Sequence, residues 1–124
     1  MVWDKGPGMR GRTYAEAEQA WVSLDGNAKI FSYDALASGD YKGRIHPTQK
    51  PVALYKWLLT NYAKPGDKIL DTHVGSASSL IACYDLGFEY LGFELDADYY
   101  QMAQERLKKH MSQLNLFNDF ELTR

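Results

Sequence analysis

From residue 51 onward the apolar positions fall into a regular order of elements. Val52, Tyr55, Leu58, Leu59 and Tyr62 recur at helical spacing behind Pro51. Proline is tolerated in a first turn, and the run Lys64, Pro65, Gly66, Asp67 stops the helix. Residues 68–72 then read as a short apolar strand, 76–86 as a helix ended by Gly87, and 90–95 as a second strand. A long amphipathic helix follows from 98 to about 112, capped by Asp96 or Asp98. Strand, glycine-bearing turn, helix, strand, helix predicts a right-handed βαβ unit whose two parallel strands lie in a sheet covered by helices. Ahead of it the pattern is shorter in range. Val2 and Trp3 open as a strand, 20–24 predict a strand closed by Asp25-Gly26, and 29–33 predict another. Residues 6–11 read as a mobile loop by their glycine and proline content, and 34–50 are polar and irregular.

Composition changes this picture little. A chain of 124 residues that is 45% hydrophobic and 14% aromatic is expected to fold as one α/β domain. It divides into N-terminal strands and loops at 1–45, the βαβ part at 46–112 and a tail at 113–124. No run approaches the ~20 apolar residues of a membrane helix, so no membrane partner is expected. Cys83 is the only cysteine, which excludes an intrachain disulfide and fits a reduced, cytoplasmic setting.

Charge divides the chain. Residues 1–63 hold eight Lys and Arg against six Asp and Glu, whereas 64–124 hold six against ten. Arg10, Arg12, Lys42, Arg44 and Lys50 fall in loop-like sequence with His46. Contact with DNA phosphates and ordinary solvated loops are both open readings.

The chemistry concentrates where the first strand of the βαβ unit ends. After Asp71 the chain turns small, with Gly75, Ser76, Ala77, Ser78 and Ser79 in succession. Small side chains bury little, so the run suggests a backbone that something must approach closely. In a βαβ unit the ligand sits at the carboxyl ends of the strands, beside the helix N-terminus. Glu94 ends the second strand there, 23 residues after Asp71. A carboxylate at about that spacing can accept hydrogen bonds from both hydroxyls of a ribose, which predicts a nucleoside-containing ligand. Gly75 stands alone where a dinucleotide fingerprint needs three glycines, which argues against a nicotinamide-dependent oxidoreductase. A structural turn beside a surface glutamate is the alternative.

Three segments carry a family resemblance: His46-Pro47-Thr48-Gln49-Lys50-Pro51 ahead of a helix, Ile69-Leu70-Asp71-Thr72-His73-Val74-Gly75-Ser76, and Leu91-Gly92-Phe93-Glu94-Leu95-Asp96 with Tyr99. In this order they resemble the C-terminal half of the beta-class, circularly permuted DNA amino-methyltransferases, which modify adenine or the exocyclic amine of cytosine. Val2-Trp3-Asp4-Lys5 and the strand ending at Leu24 resemble the segments before the target-recognition region. The resemblance implies a partial Rossmann-like methyltransferase fold, with a mixed sheet and flanking helices, that binds S-adenosylmethionine. Carried over by position, Asp71 and Gly75 would line the methionine end, Glu94 would hold the ribose, Thr48 and Lys50 would fix the carboxylate, and Ser76 would belong to the same cofactor site. His46 would shape the loop, and His73 would lie near the sulfonium. The family more often has Pro-Phe in place of Thr72-His73 and a glycine in place of Ala77.

The same resemblance exposes a gap. Methyl transfer to an exocyclic amine needs a pocket that stacks the flipped base and orients its nitrogen. The family builds it from an Asp/Asn/Ser-Pro-Pro-aromatic motif, yet the prolines here stand at 7, 47, 51 and 65, with no Pro-Pro pair. No catalytic residue is therefore assigned. The expectation is a truncated or split methyltransferase, adenine-directed, from a phage-like or restriction-modification setting. It would be inactive alone, with the open edge of the strand at 68–72 covered either by the N-terminal strands or by a second chain or homodimer partner. A non-catalytic DNA- or partner-binding module is the alternative. Finally, Gln113-Leu114-Asn115-Leu116-Phe117 resembles the peptides that dock bacterial replication proteins on the sliding clamp. Gln113, Leu114, Leu116 and Phe117 are the contacts such docking would use, from an extended tail.

Overall fold

The computed structural model describes the backbone of residues 1–121 and the side chains of residues 1–113. The chain forms two compact units, Met1–Arg44 and Ile45–Arg124.

In the first unit, β1 (Val2–Asp4) is the middle of a three-stranded sheet. It pairs antiparallel with β2 (Ala17–Gln19) and parallel with β3 (Ile30–Ser32), with Trp3 opposite both Glu18 and Phe31. The strand expected at 20–24 lies instead at 17–19. The register explains the shift: Val2 is opposite Gln19 and the Ala20 amide already bonds to the Met1 carbonyl, so β1 has no backbone left to pair with 21–24. Trp21 and Leu24 are accordingly exposed. Trp3 is the buried anchor, its indole N–H donating to the Tyr33 carbonyl at 3.0 Å.

The loop at 6–11, expected to be mobile, is instead tied down. It holds a 3-10 turn at Pro7–Met9, with Met9 buried. Asp34 accepts the amides of Gly8, Leu36 and Ala37 at 2.6, 3.1 and 2.9 Å, linking the turn to the segment after β3. These amides hold the Asp34 carboxyl below its ordinary range, although burial acts the other way. Asp4 and Glu16 likewise accept the Gly6 and Gly11 amides, each at 3.0 Å, so acids from outside the glycine-rich stretch supply the order that its composition lacks.

The second unit keeps the predicted order: α1 (Val52–Tyr62), β4 (Lys68–Asp71), α2 (Ser78–Leu86), β5 (Glu89–Gly92) and α3 (Ala97–Glu121). β4 and β5 are parallel, with Leu70 opposite Leu91. Pro51 precedes α1 in an extended conformation, and Gly87 closes α2 at φ 73°, a left-handed turn that suits glycine. Asp96 caps α3 by accepting the amides of Asp98 and Tyr99. The core is drawn largely from α2, with Ile81, Ala82 and Cys83 buried beside Leu54 and Ala103. α3 runs past 112, where it was expected to end. Residues 113–121 contain no glycine or proline, and their Asn and Asp each disfavour a helix by well under ~1 kcal/mol. The extended tail is thereby replaced by helix. The clamp-docking expectation itself rests on Leu114, Leu116 and Phe117, whose side chains lie outside the described residues.

One face of the β4–β5 pair is covered and the other is open. Ile69 and Tyr90 are half-buried, whereas Leu70, Leu91 and Phe93 are exposed. Among the described residues β4 pairs with no strand except β5.

Candidate functional site

The turn after β4 is built from its own polar atoms. One Asp71 oxygen accepts the His73 amide at 2.9 Å and the other accepts the Ser79 hydroxyl in the first turn of α2. Phe93 N–H donates to the Asp71 carbonyl and Val74 N–H to the Phe93 carbonyl, so the loop stays laced to the chain leaving β5. The loop lies close upon β5. A Cβ on Gly92 would sit 2.5 Å from a Val74 methyl carbon, so only glycine fits there.

Gly75 follows at φ 55°, a left-handed conformation that costs a residue with a Cβ about 1–2 kcal/mol. Its amide donates to Glu94 Oε2 at 2.8 Å, and Asp96 N–H donates to Glu94 Oε1 at 3.0 Å. These two amides hold the Glu94 carboxyl below its ordinary range, aided by the nearby His46. Each carboxylate oxygen has accepted one backbone donor and keeps a second lone pair. Ala77 is also left-handed, at φ 62°, and fully buried. It is the position where the resemblance called for glycine. The turn retains the shape that glycine serves, with a methyl group held inside it.

The small run from 75 to 79 has a second cause. Ser76, Ala77, Ser78 and Ser79 are buried, and the Arg106 guanidinium of α3 reaches in to the Ser76 carbonyl at 2.6 Å and the Ser78 hydroxyl at 2.9 Å. Close packing of α2, as well as access to its N-terminus, demands small side chains here.

The segment ahead of α1 faces this turn. His46 Nδ1 lies 3.2 Å from the Thr48 amide and 3.1 Å from its hydroxyl. The imidazole face rests on Gly75, where a Cβ would be 3.6 Å from three ring atoms, and its centre is 4.3 Å from that of Tyr99. Between the two segments lies a cleft of about 340 Å³, which gathers Thr48, Lys50, His73, Gly75, Ser76 and Glu94. Six of the seven residues expected at a cofactor site thus share one cavity. Asp71 is absent from its lining because its carboxylate is turned to Ser79 and the His73 amide. Tyr55, Gln49 and Ser78 also line the cleft and are not among the expected residues. Tyr55 could have been found, one helical turn beyond Pro51, had its spacing not read as core. A second cavity of about 390 Å³, walled by Leu80, Tyr100, Ala103, Leu107 and Met111, shares Val74 and Glu94 with the first. Glu94 therefore borders a polar space and an apolar one.

The arginines singled out for DNA are placed as follows. Arg10 pairs with Asp4 at 3.5 Å, the Arg12 guanidinium donates to the Gly8 carbonyl at 2.7 Å, and Arg44 lies 5.3 Å from the Tyr41 ring centre. All three belong to the first unit. No group of three or more His, Cys, Asp or Glu among the described residues could hold a metal ion.

Comparison with known proteins gives a consistent result. The family model for N6/N4 DNA methylases matches residues 3–105. The type II methyltransferase M.HpaI of Haemophilus parainfluenzae is 37% identical over 76 residues, 61% of this chain and 22% of the relative. YubD of Escherichia coli (strain K12), described as a methylase, is 38% identical over 68 residues, 54% of this chain and 30% of the relative. Among solved structures, the M1.HpyAVI–SAM complex aligns with a TM-score of 0.60 and 25% identity, covering 86% of this chain and 59% of that one. TTHA0409 of Thermus thermophilus, complexed with S-adenosyl-L-methionine, aligns at 0.55 with 18% identity, covering 89% and 52%, which speaks to the fold alone. The chain thus spans between a fifth and a third of the curated relatives and somewhat over half of the solved ones. The fold is mixed α/β with flanking helices, as in these methyltransferase structures.

Proposed function

Because the chain belongs to the N6/N4 DNA methylase family, matched over residues 3–105, we propose that it is the S-adenosylmethionine-binding part of a DNA amino-methyltransferase. In this reading it is of the permuted beta class, with adenine as the target base, and does not transfer methyl groups by itself. The observation that carries the reading is Glu94, ionised by two backbone amides and bordering both cavities with a lone pair left on each oxygen. Two vicinal hydroxyls are the group that such a carboxylate accepts best. The rest of the cleft fits an aminoacyl nucleoside. Lys50 and Thr48 offer a cation and a hydroxyl for a carboxylate, and the bare Gly75 backbone allows close approach. The apolar cavity beyond Glu94 suits an aromatic ring. His73 and Ser76 complete the wall, and Asp71 acts on the cleft by holding its loop.

The cofactor, when bound, supplies an electrophilic methyl group on sulfur. What these residues do is orient it: Glu94 fixes the sugar and Lys50 the amino-acid end. The acceptor amine needs a base pocket of its own, and the described cleft contains no Pro-Pro-aromatic segment to make one. The open edge of β4 and the exposed Leu70, Leu91 and Phe93 support completion by a second chain, with a homodimer as the alternative. Arg10, Arg12 and Arg44 are the proposed phosphate contacts on DNA. Sliding-clamp docking through Gln113, Leu114, Leu116 and Phe117 belongs to the same reading on sequence grounds alone.

Calorimetric titration with S-adenosylhomocysteine tests the proposal. Glu94→Gln is a better variant than Glu94→Ala, because an amide oxygen can still take one loop amide. Binding to the wild type, weakened about tenfold in Glu94→Gln, is expected when a charged hydrogen-bond acceptor is lost. Equal affinities would remove the carboxylate from the site, and no binding to the wild type would remove the reading.

A further inference from the structure

We propose that Arg106 of α3 is a positioning residue for the cleft: through Ser78 it sets the direction of the Ser76 hydroxyl, so that Ser76 presents its proton to an acceptor atom of the bound ligand. The inference rests on the cofactor reading above and adds to it a residue of α3 that is not among those lining the cleft.

Ser76 stands between two left-handed residues, Gly75 at φ 55° and Ala77 at φ 62°, just ahead of α2. The Arg106 guanidinium constrains it from the side, and one nitrogen makes both contacts. Nη1 lies 2.6 Å from the Ser76 carbonyl oxygen and 2.9 Å from Ser78 Oγ. It carries two hydrogens, so each acceptor can take one. The two serine hydroxyls are 3.2 Å apart, both residues are buried, and both border the cleft. A guanidinium only donates, so one lone pair of Ser78 Oγ is taken. A hydroxyl that accepts from a cation becomes the better donor, and cooperativity along the chain favours Ser78 giving its own proton to Ser76. The Ser76 proton is then the one left for the cleft.

Packing alone does not call for a cation at this place. Ser78 is the first residue of α2, and the free amides of a helix N-terminus already form a positive end, which favours an anion nearby and disfavours a cation. A neutral side chain would fill the same space beside the small residues 76–79 without that opposition. The charge gains a use if the cleft takes a ligand rich in acceptor atoms, because it keeps the donors of the turn fixed before the ligand arrives. Glu94 has the opposite polarity, and its oxygens accept the Gly75 and Asp96 amides. The turn thus gives one donor, the Gly75 amide, to the protein and keeps another, the Ser76 hydroxyl, for the ligand.

A double-mutant cycle separates this role from a purely structural one. The full chain is titrated calorimetrically with S-adenosylhomocysteine, at a temperature where every variant is folded, so that lost stability does not enter the comparison. Arg106→Met and Ser76→Ala are each expected to weaken binding about fivefold, as the loss of one hydrogen bond requires. Because Arg106 acts through Ser76, Arg106→Met made in the Ser76→Ala background should cost no more than about twofold further. A further loss of about fivefold in that background, the mark of two independent effects, would overturn the proposal. Unchanged affinity in either single variant would overturn it as well. Should Arg106→Met fail to fold, Ser78→Ala cuts the same chain of hydrogen bonds with a side chain only one oxygen smaller. It is expected to weaken binding about fivefold in the wild-type background and no more than about twofold in Ser76→Ala, and equal losses in both would sink the assignment. A wild type that binds S-adenosylhomocysteine beside variants that bind it equally well loses this inference alone. A wild type that binds none brings down the cofactor reading together with it.

Discussion

Gly92 and Ala77 show how narrow the tolerances are at the level of single residues. At Gly92 an added methyl group would meet a Val74 methyl at 2.5 Å and the Leu80 methyls at 3.1 and 3.2 Å. Val74 is β-branched and has little freedom to turn aside. Gly92→Ala should therefore destabilise the chain by about 1–3 kcal/mol, the cost of overpacking, read as a lower urea midpoint with an unchanged slope. An unchanged midpoint would show that the loop moves away freely. Ala77→Gly sets two effects against each other. Relief of the left-handed backbone contributes about 1–2 kcal/mol, whereas the loss of a buried methyl costs about 0.8 kcal/mol and glycine adds freedom to the unfolded chain by about 0.4–1 kcal/mol. The midpoint should stay within about 1 kcal/mol of the wild type, and a large fall in the same melt would mean that the methyl group holds the turn together. The small residues at 75–79 were legible as a signal in the sequence. Their double cause was not, because Arg106 comes from 30 residues away to occupy the space beside them.

Among the elements, Asp85 at the end of α2 ties three helices. Its carboxylate accepts from Lys56 of α1 at 2.7 Å and from His110 of α3 at 2.6 Å. Burial alone would raise its pKa, but the Lys56 and His110 hydrogen bonds outweigh that and hold it below the ordinary range. A carboxyl with a depressed folded pKa adds stability above its unfolded value, near pH 4, and loses it as pH falls through the folded pKa. Asp85→Asn should cost about 1–2 kcal/mol at neutral pH, toward the low end for charged hydrogen bonds because Lys56 is partly exposed and screened. That deficit should shrink below about pH 4, where the wild type loses the same interaction. A deficit independent of pH in paired denaturant melts would assign the effect to packing. The helices themselves follow from periodicity and from Pro51, Gly87 and Asp96 at their ends. The tie between them could not be anticipated, since no spacing along the chain relates residues 56, 85 and 110.

For the molecule as a whole, the uncovered sheet is the feature with most consequence. Parallel strands are ordinarily buried on both faces, yet Leu70, Leu91 and Phe93 are each more than half exposed and β4 has an open edge among the described residues. The purified chain should therefore self-associate as its concentration rises, and Leu70→Lys with Leu91→Glu should reduce that association, measured by light scattering across a dilution series. Equal behaviour of wild type and variant would indicate that this face is satisfied. In the proposed reading the same chain, mixed with unmethylated DNA and labelled S-adenosylmethionine, should give only background incorporation. Incorporation abolished by Glu94→Gln would show that the chain makes a base pocket of its own.

The order of the second unit, and the juxtaposition of Asp71, the small-residue turn and Glu94, are written in the chain itself, whereas Thr48, Lys50 and His73 were expected only from the family resemblance. Helix and strand periodicity, end signals and the spacing from Asp71 to Glu94 are local or short-range properties, set by backbone geometry. The remainder was settled only on folding. The strand at 17–19 replaced the one expected at 20–24 because pairing depends on how much partner strand remains, which propensity does not record. Order in the loop at 6–11 came from Asp4, Glu16 and Asp34, and Asp71 is turned away from the cleft by its bonds to Ser79 and the His73 amide. In each case the outcome turns on a competition for hydrogen bonds, and those partners are chosen in three dimensions.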